Sequence, residues 1–169
     1  MSHWKWINRQ VLLLLHDESL AEHGGASGLR DEGLLDSALA RPLNLSLYEA
    51  PDVAGLAAAY GVGLAKNHAF VDGNKRTAFL AMGLFLGING YRLQATQVEA
   101  TLTMRSVAAG DLDEAAFAEW IHQHKHPRWA NRQGWCSCLL APMQREPTAT
   151  TGRLREVQFS EVPPTHTFT

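Results

Sequence analysis

Ten consecutive residues, His68-Ala69-Phe70-Val71-Asp72-Gly73-Asn74-Lys75-Arg76-Thr77, gather an imidazole, a carboxylate, a glycine, an amide and two permanent cations. That combination suits a nucleotide phosphate. Gly73 lets backbone approach an anion closely, Lys75 and Arg76 add positive charge, and Asp72 offers hard oxygen to a magnesium ion. His68, one short turn upstream, is the candidate proton acceptor. Taken singly, a histidine near a helix end, a carboxylate or amide at a cap and two surface cations are more often structural than catalytic. Their joint order favours chemistry.

The elements around this cluster explain how it could be presented. Ala78 to Leu86 is a continuous apolar run, too long for a strand, and reads as a buried helix with the polar cluster at its N-terminus. Unpaired N–H groups and the positive end of the helix dipole favour an anion there. Upstream, Asp52 is an N-cap for a helix through Leu56, Tyr60 and Leu64 that delivers His68 at its far end. Gly61 and Gly63 inside that helix point to close packing. An earlier helix carries Ile7, Val11, Leu14, Leu15 and Leu20 and stops at Gly24-Gly25, and a short one with Leu34, Leu35, Ala38 and Leu39 closes at Pro42. The alternation in Leu43-Asn44-Leu45-Ser46-Leu47-Tyr48 reads as an extended flap. After a turn at Asn89-Gly90, Thr96-Gln97-Val98-Glu99 has capping-box spacing for a helix with Val98, Leu102 and Val107 inward. Asp111 to Glu114 opens a last helix with Phe117, Trp120 and Ile121.

Composition narrows the possibilities. The 169 residues are 46% hydrophobic, which fits one globular domain with an appended tail. Ten Lys/Arg stand against fourteen Asp/Glu through His126, so general DNA or RNA binding is disfavoured. Neither a signal peptide nor a membrane span is evident, and the cytoplasm is the expected location. Five of the seven prolines lie from Pro127 onward with Thr-rich patches, so residues 127–169 read as a disordered or loosely docked tail behind a domain of residues 1–126. Cys136 and Cys138, one residue apart, do not suit a mutual disulfide. With His122, His124 and His126 they suggest zinc, but the spacing does not match a structural zinc site.

The run from His68 to Arg76 resembles the signature of the Fic/Doc superfamily in its death-on-curing, or Doc-type, toxin form. The likeness extends to Leu15-His16-Asp17, Gly24-Gly25, Gly28-Leu29-Arg30-Asp31, Ala40-Arg41-Pro42 and the stretch from Phe85-Leu86 to Asn89-Gly90, covering residues 7 to 125. The resemblance implies an all-α domain of about six helices with a small β-like flap, residues 43–50, that holds a target polypeptide by strand addition. It implies catalytic roles for His68, Asp72 and Arg76. His68 takes the acceptor's proton, and Asp72 organises magnesium or the acceptor. Gly73, Asn74, Lys75 and Arg76 form the nucleotide site, and Phe70 packs inward to fix the loop. A nucleotide contact found in one Doc form falls on Leu80 here and does not carry over.

The resemblance also implies an activity. Adenylyl-transferring Fic enzymes carry Gly where this chain has Lys75; the Doc-like lysine implies that ATP lies reversed, with its γ-phosphoryl group toward the acceptor. The implied protein is a toxin kinase acting with Mg2+ on a threonine of elongation factor Tu, inhibiting translation and held in check by a separate antitoxin. Gly73, Fic-like, keeps AMP transfer as an alternative, and a catalytically silent binding module is another.

Overall fold

The computed structural model describes residues 4–128. The tail reading for residues 129–169 therefore lies outside the described residues. Six helices and one two-stranded sheet follow one another as α1 (Arg9–His23), α2 (Glu32–Tyr48), α3 (Val53–Asn67), α4 (Asn74–Ile88), β1 (Tyr91–Leu93), α5 (Gln97–Ala109), α6 (Glu114–His124) and β2 (Lys125–Pro127). The fold is all-α with a small sheet, as the resemblance implies.

Five helices begin on a side-chain cap. Asn8, Asp31, Asp52, Thr96 and Asp113 each accept a backbone N–H of the first turn, which satisfies a donor that has no partner within the helix. Thr96 and Glu99 form the full capping box. Asp52 does more than cap α3: it also takes the Lys125 ammonium at 2.9 Å and lies 3.2 Å from His122 Nδ1, joining the start of α3 to the end of α6. Burial pushes the Asp52 carboxyl up, but the Gly55 N–H and Lys125 outweigh it and hold the group below the usual carboxylate range.

The core is built around α3, which is buried at every position from Val53 to Ala65 except Gly55. It packs against α2, α4, α5 and α6. Small residues let neighbours come close. A Cβ on Gly61 would lie 2.7 Å from Phe117 Cε1, and one on Gly63 would lie 3.3 Å from the Ala38 carbonyl oxygen. Trp4 and Trp6 cover Phe85, with ring centroids at 6.4 and 5.9 Å, and close the end of α4. Among the described residues no helix is long and apolar enough to cross a membrane.

Three local expectations are corrected. The segment 43–48 is not an extended flap, because α2 runs through Pro42 to Tyr48. Proline withholds one N–H, yet a helix already under way adds residues readily, leucine favours helix, and among the described residues no strand lies beside this segment to pair with it. Among the described residues the strands are β1 and β2, antiparallel, with Tyr91 opposite Pro127 and Leu93 opposite Lys125. Second, Val11 and Leu14 point outward, 42% and 68% exposed, and the inward face of α1 is Leu12, His16, Ser19 and Leu20. Third, α5 buries Ala100, Met104 and Val107, whereas Val98 and Leu102 are exposed.

Candidate active site

His68 ends α3 in a left-handed conformation, φ 49° and ψ 44°, and turns the chain into the loop that precedes α4. That loop is clamped from beside it by residues 28–31. The Ala69 carbonyl accepts the N–H groups of Arg30 at 2.7 Å and Asp31 at 3.2 Å, Val71 N–H donates to the Gly28 carbonyl at 3.0 Å, and Leu29 bridges to Phe70. Asn74 closes the turn: its side-chain oxygen accepts Phe70 N–H and its NH2 donates to the Phe70 carbonyl, both at 2.9 Å. Ala69 and Phe70 are buried anchors, and His68 and Asp72 are exposed beside them.

The start of α4 differs from the other five. Its N-cap is Gly73, φ 73°, with no side-chain hydrogen bond. Thr77 N–H pairs with the Gly73 carbonyl at 2.9 Å, so the N–H groups of Asn74, Lys75 and Arg76 precede the first intrahelical bond and have no acceptor within the helix. Positive dipole and unpaired donors thus coincide with two cationic side chains. Arg76 is tied to α1: its Nη1 donates to the Ser19 carbonyl at 3.3 Å and to the Gly24 carbonyl at 3.2 Å, at the C-terminal end of that helix. Lys75 is exposed.

A cleft of about 1070 Å3 opens here between α1, α4 and α5. All six expected residues line it: His68, Asp72, Gly73, Asn74, Lys75 and Arg76. The side chain of Asn74 is engaged with Phe70, which leaves its backbone N–H as the group available to an anion. Phe79, Leu80, Leu84, Ala100 and Met104 form an apolar stretch of the same wall, and Arg105 of α5 adds a third cation. Asp72 fits a magnesium ion. Its carboxylate is exposed on the cleft, Oδ1 takes the Gly73 N–H at 2.6 Å, and magnesium commonly uses one or two carboxylates with substrate phosphates. Among the described residues no group of three or more His, Cys, Asp or Glu could hold a metal by itself. The three histidines near 124 go separate ways: His122 to Asp52 and Lys125, His124 onto Trp120, and His126 to an exposed strand position. Cys136 and Cys138 lie outside the described residues.

Sequence reasoning gave no role to His16. It is buried, stacks on Phe70 with ring centroids 3.8 Å apart, and places Nδ1 2.8 Å from Thr77 Oγ1. Burial chiefly, and the Arg76 charge, push its pKa below 6.5 against the opposing pull of Asp17 and Asp72. The available signal was spacing: His16 is four residues from both Leu12 and Leu20.

The Fic/DOC family sequence model matches residues 6–86. Toxin Doc of Mycolicibacterium smegmatis is 47% identical over 95 residues, which cover 53% of this chain and 72% of that protein. Protein kinase doc of Escherichia phage P1 is 30% identical over 118 residues, covering 69% of this chain and 93% of that protein. The chain belongs to the Fic/DOC family. The region matched by the family model takes in the whole loop and nearly all of α4.

Proposed function

We propose that this Fic/DOC protein is a toxin kinase that passes the γ-phosphoryl group of ATP to a hydroxyl side chain of a translation protein, a threonine of elongation factor Tu, in the cytoplasm. The observation that carries the reading is the uncapped start of α4, flanked by Lys75 and Arg76 and facing the same cleft as His68. The N–H groups of residues 74–76 and the two cations hold the phosphates, and the apolar wall takes the base. His68 accepts the proton of the acceptor hydroxyl while its oxygen bonds to the γ-phosphorus and the bond to the β–γ bridging oxygen breaks, leaving ADP. Such a transfer depends mainly on positioning and charge stabilisation. Asp72 would hold magnesium, which when bound neutralises phosphate charge. A separate antitoxin covering the cleft is the proposed restraint.

Phosphoryl transfer is favoured over AMP transfer by Lys75 at the helix start and by the kinase name of the phage relative. Gly73 does not favour AMP transfer strongly, because its φ of 73° already explains a glycine there. The test is incubation with elongation factor Tu and ATP labelled at either the γ-phosphate or the adenine. Label from the γ-phosphate on the target is expected, and adenine label would overturn the kinase reading. Growth arrest on expression that survives His68→Ala would favour the silent binding module instead.

A further inference from the structure

Beneath the phosphate cradle lies a side chain that the proposed transfer does not use. His16, on the inner face of α1, is 2% exposed. Its ring stacks on Phe70 in the loop, and its Nδ1 meets Thr77 Oγ1 in the first turn of α4. Gly73 lies beside the same ring: a Cβ there would be in ordinary contact with His16, 3.5 Å from Cε1 and 3.8 Å from Nδ1. His16 Nε2 and Ser19 Oγ are buried without a hydrogen-bond partner among the described residues.

As packing alone, an imidazole is a poor choice here. A phenyl ring would fill similar space and seal no polar atom away from water. What imidazole adds is the ability to hold Phe70 by its face and Thr77 by Nδ1 at once. We propose that His16 is a positioning residue for the phosphate cradle, fixing the loop at Phe70 against the first turn of α4 so that the N–H groups of residues 74–76 converge on one anion. It touches neither nucleotide nor acceptor and acts through Phe70 and Thr77. The inference rests on the kinase reading for what is bound, though not for the geometry of the cradle. A cradle in the right shape about a tenth of the time binds about tenfold more weakly, with the chemistry of the bound state unchanged.

The experiment compares the full chain with His16→Ala, His16→Phe and Thr77→Val. Two measurements are made: kcat and the ATP KM in the γ-label assay, and amide hydrogen exchange of the free protein. His16→Ala should raise KM about tenfold with kcat within about threefold, and should speed exchange at Phe70, Val71 and Thr77 about tenfold while α3 is unchanged. His16→Phe restores the ring and should recover part of the loss. Adding Thr77→Val to His16→Phe should change nothing further, because the bond they share is already gone. Wild-type KM and wild-type loop exchange in His16→Ala would overturn the proposal, as would faster exchange spread equally through α3. If the wild type transfers no label, the kinase reading fails and the exchange measurement alone decides the role of His16.

Discussion

The starts of α4 and α5 border the same cleft, yet they are finished in different ways. At α5 the Thr96 hydroxyl takes the Glu99 N–H at 3.2 Å, and the Glu99 carboxylate takes the Thr96 N–H at 2.9 Å and its hydroxyl at 2.7 Å. These bonds hold the exposed Glu99 carboxyl below its usual range. At α4 no side chain performs that service. A helix start that supplies its own acceptor needs nothing from outside, whereas one without an acceptor favours an arriving anion. The support for α4 comes instead from other elements: residues 28–31 beside the loop, His16 below it and Arg76 reaching back to α1.

That contrast can be broken at either end. The largest effect is expected at the open start, where His68→Ala or Arg76→Ala should lower kcat/KM by about a hundredfold or more with helical circular dichroism retained. Gly25→Ala attacks the support. A Cβ there would sit 2.7 Å from Leu20 Cδ2 and 2.9 Å from Asp72 Oδ2, at a φ of 136°, so transfer should drop about tenfold and urea stability by about 1–3 kcal/mol. At the self-finished start, Glu99→Ala should lower the urea midpoint slightly and leave the ATP KM unchanged. A shift in KM there as large as that of Arg76→Ala would erase the distinction between the two helix starts.

The smallest expected effect concerns acid. In the unfolded chain His16 takes a proton near pH 6.5, whereas in the fold it does so only at lower pH. The unfolded state therefore binds more protons in that window. The contribution of His16 to stability is complete above about pH 6.5 and declines as the pH falls toward its folded value. Urea unfolding between pH 7.5 and 5 should show this slope in the wild type and a shallower one in His16→Phe.

What could be read from the sequence was what is decided locally. Asp52 as the N-cap of α3, the Thr96–Glu99 box, Gly24 as a stop and the placement of residues 68–76 before an apolar helix all depend on groups within a few residues. Phase and partners were less legible. Val11-Leu12-Leu13-Leu14-Leu15 puts apolar residues on every side of α1, so periodicity could not say that Leu12 and His16 face inward. Alternation over 43–48 could not reveal that, among the described residues, no strand lies beside it. His16 acquires its role from Phe70 and Thr77, more than fifty positions away, and the capture of Arg76 by two carbonyls of α1 and its following turn is equally nonlocal.

Among the described residues, His68 is the one non-glycine at positive φ. A side chain in that conformation typically carries a penalty of about 1–2 kcal/mol, which glycine would escape. Durability and the proposed catalysis therefore make opposite demands on a single position: relieving the backbone at 68 would harden the scaffold and remove the proposed base.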